Sequence, residues 1–237
     1  MSGALLITGV GKRAGLHLAR TFLERGQPVI GTYRSPRASV QELEEMGAEL
    51  HRCDFYDDHD IESLISAVQG GHRKLRGIIH NASDWLPDNG DLPRGEVMRL
   101  MMQVHVGAPY RINLALAPLL QESGAPDQAD IIHIGDYVSG RGSKKHIAYA
   151  ASKAAQDNLT LSFAALLAPR VKVNSIAPAL LLFNEHDDAA YRERALAKSL
   201  LAREGGLDEL QQAVDYLLGS RFVTGRVMHL DGGRHLR

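Results

Sequence analysis

Short apolar runs recur near residues 4–8, 28–33, 48–53, 76–80, 129–135, 170–176 and 226–230, separated by stretches of helical spacing. Runs such as Ala4-Leu5-Leu6-Ile7 are apolar at consecutive positions, which suits strands covered on both faces. The alternation predicts an α/β fold: a Rossmann-type, doubly wound parallel sheet of about seven strands with helices on both faces. No repeat, low-complexity tract or linker interrupts it, so residues 1–237 read as a single domain. Two stretches break the rhythm. Residues 178–206 form a long, partly helical excursion before the last strand, a size typical of a lid or binding segment. A long helix over 96–122 contains Pro109 and Pro118, and Pro109 cannot donate to the His105 carbonyl.

The first strand runs into Gly9, Gly11 and Gly15 and then a helical stretch that stops at Gly26. Strand, glycine turn and helix in that order suit a dinucleotide pyrophosphate, which the helix N-terminus meets with amide donors and positive dipole. The spacing is Thr-Gly-x-x-x-Arg-x-Gly, with Arg13 where a middle glycine is familiar. An NAD-selective site would carry an acid at the end of the second strand. This chain has Thr32, Tyr33, Arg34 and Ser35 there, and a guanidinium with a hydroxyl suits a 2′-phosphate, so NADPH is the expected cofactor.

Tyr149 and Lys153 stand four apart in a helical stretch and share a face. A lysine ammonium beside the phenol would lower the tyrosine pKa and make it a usable proton donor. Asp136 follows the apolar run Asp130–Ile134, at a strand end that faces the ligand crevice of such a sheet. Composition removes other classes. A net charge of −1 without a basic run gives no reason to expect nucleic acid. The single cysteine, Cys53, reads as a buried, inert thiol in a reducing compartment. No apolar stretch reaches membrane-spanning length and no signal peptide is apparent, so a soluble, cytoplasmic protein is expected. The eleven histidines show no ligand spacing, so no metal is expected, and Asp57-Asp58-His59-Asp60 reads as helix capping.

The glycine turn, Asn81-Ala82-Ser83, Tyr149 with Lys153, Asn174 with Pro178, and Asp231-Gly232-Gly233 resemble the short-chain dehydrogenase/reductase family over the whole chain. Arg13, Tyr33-Arg34-Ser35, Asn81-Ala82-Ser83-Asp84-Trp85, and Asp136 in place of the usual serine resemble its pteridine reductase branch. The resemblance implies that Gly9, Arg13 and Gly15 hold the pyrophosphate, and Tyr33, Arg34 and Ser35 the 2′-phosphate end. It puts Asp54 and Phe55 at the adenine, Asn81, Ala82 and Ser83 along the cofactor, Lys153 at the nicotinamide ribose and Pro178 near the nicotinamide. It assigns proton handling to Tyr149 and Asp136, and substrate contacts to Arg13, Ser83, Trp85, Asp136, Tyr149 and Leu180. It further implies a homo-oligomer, with a tetramer favoured. Two positions depart from the family: His105 stands where an asparagine is usual, and Ala179 where a glycine follows the proline.

Asp136 turns the expectation toward a pterin. Ketone reduction develops an alkoxide that a carboxylate would repel, whereas C=N reduction leaves a basic nitrogen that takes a proton. Asp136 could donate that proton or accept from an amino-pyrimidine edge; the sequence leaves both open. Trp85 suits stacking on a flat heterocycle or packing as a lid residue. Leu180, Leu181 and Leu182 could close over the ring or face the core. The expected reaction is NADPH-dependent reduction of a 7,8-dihydropterin, for which the resemblance implies 7,8-dihydromonapterin ahead of dihydrofolate. A carbonyl or quinone reductase and an inactive dinucleotide sensor are the alternatives.

Overall fold

The computed structural model describes residues 3–122 and 128–237. Seven strands form one parallel sheet in the order β3-β2-β1-β4-β5-β6-β7. They are β1 (Ala4–Ile7), β2 (Val29–Tyr33), β3 (Glu49–Arg52), β4 (Leu75–His80), β5 (Ala129–Ile134), β6 (Val171–Pro178) and β7 (Val227–Leu230). All seven expected strands are present, and β1, β4, β5 and β6 are buried along nearly their whole length because helices cover both their faces. In register, Leu6 pairs with Ile30 of β2 on one side and Ile78 of β4 on the other. Strand order reverses between β1 and β4, so the connections after these strands diverge and open a crevice at their carboxyl ends.

On one face lie α1 (Arg13–Glu24), α2 (Ala38–Glu45) and α8 (Leu207–Gly219), packed through Leu18, Phe22, Leu43, Leu210 and Leu217. The other carries α3 (Asp58–Gly71), α4 (Arg94–Met102), α5 (Ala108–Gln121) and α6 (Ile147–Leu167), packed through Ile61, Val68, Met101, Ile112 and Phe163. The acidic run before α3 caps it: Asp57 accepts from the His59 amide at 2.8 Å, and Asp58 and Asp60 sit in the first turn.

The long helix expected over 96–122 runs without a break from Arg94 to Gln121 but is not α-helical throughout. A π-helical segment, Gln103–Gly107, joins α4 to α5, and Pro109, which has no N–H to give, follows directly after it. The extra residue of the wide turn lets His105 sit fully buried beside α6. In the excursion, the one regular element is α7 (Ala189–Leu196), capped by Asp188 through the Tyr191 amide at 2.6 Å.

Candidate active site

The crevice holds a cavity of about 500 Å³. Its floor is the β1 turn locked to the β4 loop. The Asn81 and Ala82 amides donate to Thr8 Oγ1 at 3.0 and 2.9 Å, and Asn81 Nδ2 donates to the Thr8 and Gly9 carbonyls at 3.0 and 3.1 Å. Glycine is required at two points of this turn. A Cβ on Gly15 would stand 2.2 Å from the Gly9 carbonyl oxygen, and one on Gly9 (φ +74°) 2.9 Å from Ala82 Cα. Arg13 occupies the left-handed region at φ 51°, which explains why a glycine is familiar there. Its guanidinium leaves the turn and donates to Asn184 Oδ1 at 2.8 Å and to the Leu182 carbonyl at 3.0 Å, tying the turn to the excursion.

The 12-residue helix α1 has no side-chain cap at its N-terminus. Its first amides face a glycine cradle rimmed by Lys12, Arg13, Arg34 and Arg37, a donor and charge set that fits a dinucleotide pyrophosphate and a 2′-phosphate. Tyr33, Arg34, Ser35, Asp54, Phe55, Asn81, Ala82, Ser83 and Pro178 all line the same cavity. Lys12 and Arg37 were not singled out from the sequence, because solvated surface cations look the same in a string of residues.

Arg34 donates to Asp84 Oδ2 at 2.9 Å, and the same oxygen accepts from the Tyr56 hydroxyl at 3.0 Å. Burial alone would raise the Asp84 carboxyl, but hydrogen bonds from Arg34, the Trp85 amide and Tyr56 outweigh it and hold it below the usual carboxylate range. Asp84 thereby links the nucleotide end to the loop that carries Trp85. Cys53 lines the cavity too; burial, with Asp60, Asp54 and Asp57 nearby, pushes its thiol up to about 12, so it stays protonated and inert.

At the opposite end, the Tyr149 hydroxyl donates to Asp136 Oδ2 at 2.8 Å, and Asp136 Oδ1 accepts from the Val138 amide at 2.8 Å. Burial raises the Asp136 carboxyl against these hydrogen bonds and the attraction of Lys153 and Arg234. The expectation that Lys153 lowers the Tyr149 pKa is overturned. Burial and the adjacent Asp136 carboxylate raise it well above the ordinary tyrosine value. The reason is geometric: Lys153 Nζ donates to the Ile134 carbonyl at 2.8 Å and Gln156 Oε1 at 3.3 Å, and stands 5.9 Å from the Tyr149 ring centroid. Burial brings the Lys153 ammonium down to about 8, partly countered by Asp136 and Asp157. Tyr149 is therefore a neutral phenol that shares a hydrogen with a reluctant carboxylate.

Trp85 lines the cavity, with its indole 3.9 Å from the His146 ring, centroid to centroid, at 34°. His146, just before α6, was not picked out from the sequence; only its position three residues before Tyr149 could have marked it. The loop is fastened to α6 through Asp88, which accepts from the Ala148 amide at 3.2 Å and also from the Ile147 amide. Leu180 does not reach this cavity. It lines a separate one of about 90 Å³ with Ala195, Leu230 and Arg234, because the Leu180 and Leu181 carbonyls bind the Gly205 and Gly206 amides and draw the strip away. Leu181 packs against the core, as one of the two readings of that strip had it. Among the described residues, no group of three or more His, Cys, Asp or Glu is arranged to hold a metal, and no helix is long and apolar enough to cross a membrane.

The chain is 53% identical over 233 residues to dihydromonapterin reductase of Klebsiella pneumoniae, covering 98% of this chain and 97% of that one. It is 52% identical, over the same shares, to dihydromonapterin reductase of Escherichia coli K12. The crystal structure of FolM alternative dihydrofolate reductase 1 from Brucella canis, complexed with NADP, superposes with a TM-score of 0.85 at 26% identity, covering all of this chain and 95% of that one. A family model described as enoyl-(acyl carrier protein) reductase, of the short-chain dehydrogenase/reductase type, matches residues 9–235. By that match and by its near-complete alignment with these relatives, the chain belongs to the short-chain dehydrogenase/reductase family.

Proposed function

We propose that this protein reduces a 7,8-dihydropterin, 7,8-dihydromonapterin foremost and 7,8-dihydrofolate less well, across C6=N5 with NADPH. The observation that carries the reading is the Tyr149–Asp136 hydrogen bond at 2.8 Å, in a site that a simple carbonyl reductase would furnish with a neutral hydroxyl. The identity to dihydromonapterin reductases over nearly the full chain supports the same substrate class.

NADPH, when bound, supplies the hydride that reaches C6. The chain's own residues do the rest. Gly9 and Gly15 leave room for the pyrophosphate, and Arg34, with no acid at the end of β2, favours the 2′-phosphate. Lys153, buried and anchored on the Ile134 carbonyl, holds a hydrogen-bonding head toward the nicotinamide ribose. The Tyr149–Asp136 pair, raised by burial, keeps a proton at neutral pH and delivers it to N5 as that nitrogen becomes basic; solvent then replaces it. Trp85, with one face on His146, offers its other face to the ring.

The test is oxidation of NADPH by the purified protein with 7,8-dihydromonapterin, 7,8-dihydrofolate and a simple diketone in parallel, repeated with NADH. Dihydropterin turnover with NADPH and little with NADH is expected. Turnover of the diketone alone sinks the assignment.

A further inference from the structure

His105 carries polar contacts on both ring nitrogens in a fully buried setting, and the reaction above uses neither. Nδ1 lies 2.8 Å from Ser152 Oγ, Nε2 lies 2.8 Å from Ser83 Oγ, and the ring meets Tyr149 edge-on at 5.4 Å between centroids. The hydrogens can be placed by elimination. Ser152 Oγ donates to the Tyr149 carbonyl at 2.8 Å, so its hydrogen is committed and it meets Nδ1 as an acceptor. The Met101 carbonyl, on His105's own helical run, also draws on an imidazole N–H, and Nδ1 is the nitrogen nearer the main chain. Nδ1 therefore carries the hydrogen. Burial, and after it the Lys153 charge, keep the ring neutral, which leaves Nε2 a bare acceptor. The Ser83 hydroxyl also faces the Asp84 carbonyl at 3.4 Å and the Tyr149 hydroxyl, but a bare Nε2 at 2.8 Å has no other donor, so Ser83 gives its hydrogen to Nε2.

We infer that His105 is a positioning residue that consumes the Ser83 hydroxyl hydrogen, so that Ser83 faces the cavity as an acceptor and selects a ligand carrying an N–H at that point. Ser83 lines the cavity and His105 does not, so His105 acts only through it. An amino-pyrimidine edge presents such N–H groups and a simple ketone presents none; this identification of the ligand rests on the pterin reading. The π-helical turn places the imidazole at this buried point beside α6.

Nitrogen-15 NMR of histidine-labelled protein, with His105 assigned by its loss in His105→Gln, reads the tautomer directly and independently of activity. A neutral ring protonated on Nδ1 is expected; protonation on Nε2, or a charged ring at neutral pH, overturns the inference. Ser83→Ala and His105→Phe should each raise KM for 7,8-dihydromonapterin about five- to tenfold, and His105→Phe, at a residue outside the cavity, should change NADPH affinity read from Trp85 fluorescence less than about twofold. The double variant should be no worse than either single one, whereas multiplying losses would mean that the two residues act separately. If His105→Phe does not fold, the wild-type tautomer decides. If the wild type turns over no dihydropterin, the proposed function fails while the tautomer still tests the hydrogen-bond chain.

Discussion

Asp136 and Tyr149 illustrate how a site is tuned by what surrounds a residue rather than by its type. Both are pushed up by burial; Asp136 raises Tyr149 further, whereas the hydrogen bond from Tyr149 works against the rise of Asp136. Asp136→Ala should lower dihydropterin turnover by ~10²-fold or more while leaving NADPH binding intact, since general acid catalysis contributes about that much. An unchanged turnover would reassign Asp136 to a structural role. The raised carboxyl also sets a sign for pH: its protonated form is favoured in the fold, so the rate should decline with rising pH from a point above the ordinary carboxylate range. Asp136→Asn should lack that decline in a pH–rate profile. Lys153 titrates the other way. Its ammonium falls from 10.5 to about 8 on burial, a depressed pKa, so its contribution to stability is present above the unfolded value and is lost as pH falls through about 8. The difference is on the order of 3 kcal/mol at most. Urea unfolding should therefore show the wild type gaining stability relative to Lys153→Met between pH 8 and pH 10, the window bracketed by those two pKa values. A constant gap between the two proteins would show that Lys153 is charged and compensated throughout.

Among the elements, α6 is the one on which the site depends, and its N-terminus is held from outside. His146, the residue before α6, supplies no side-chain cap, and Asp88 in the loop after β4 accepts from the Ile147 and Ala148 amides instead. Removing it in Asp88→Ala should cost about 1 kcal/mol, the usual worth of an N-cap, and should raise KM, because the same loop bears Trp85 and Ser83. A stability loss with KM unchanged would mean that the loop keeps its place without this anchor. Arg13 plays the corresponding part for the excursion. Arg13→Gly relieves a left-handed conformation while deleting the bonds to Asn184 and Leu182. Hydrogen exchange should accelerate over 182–188 and stay unchanged in α8; equal protection in both would show that the excursion needs no such tie.

At the scale of the molecule, all seven strands could be read from the sequence, because apolar runs and glycine turns are local signals that tertiary contacts here reinforce. Gly9, Gly15 and Asp136 were legible from their places in a turn or after a strand, Tyr149 from its four-residue spacing to Lys153 on α6, and Asn81 through the family resemblance. What was not legible depends on contacts between distant segments. The π-turn at Gln103–Gly107, the Asp84–Arg34 bond across fifty positions and the diversion of Lys153 to the Ile134 carbonyl have no periodic signature. The surface poses a further question of this kind. On α5, Tyr110 and Leu114 are 49% and 41% exposed, and on α6 Leu161 and Leu166 are 52% and 61% exposed. Tyr110 lies against the buried Phe163 of α6 at 6.1 Å between ring centroids, so the exposed apolar positions of α5 adjoin α6. An exposed apolar surface on adjoining helices is usually covered by a partner. We expect a second copy to cover it, giving a solution mass by light scattering that is a multiple of the chain mass. Leu114→Arg combined with Leu161→Arg should return the single-chain mass, because taking a guanidinium out of water carries a large desolvation cost. A wild type that is monomeric at micromolar concentration would remove this face from consideration as a contact between copies.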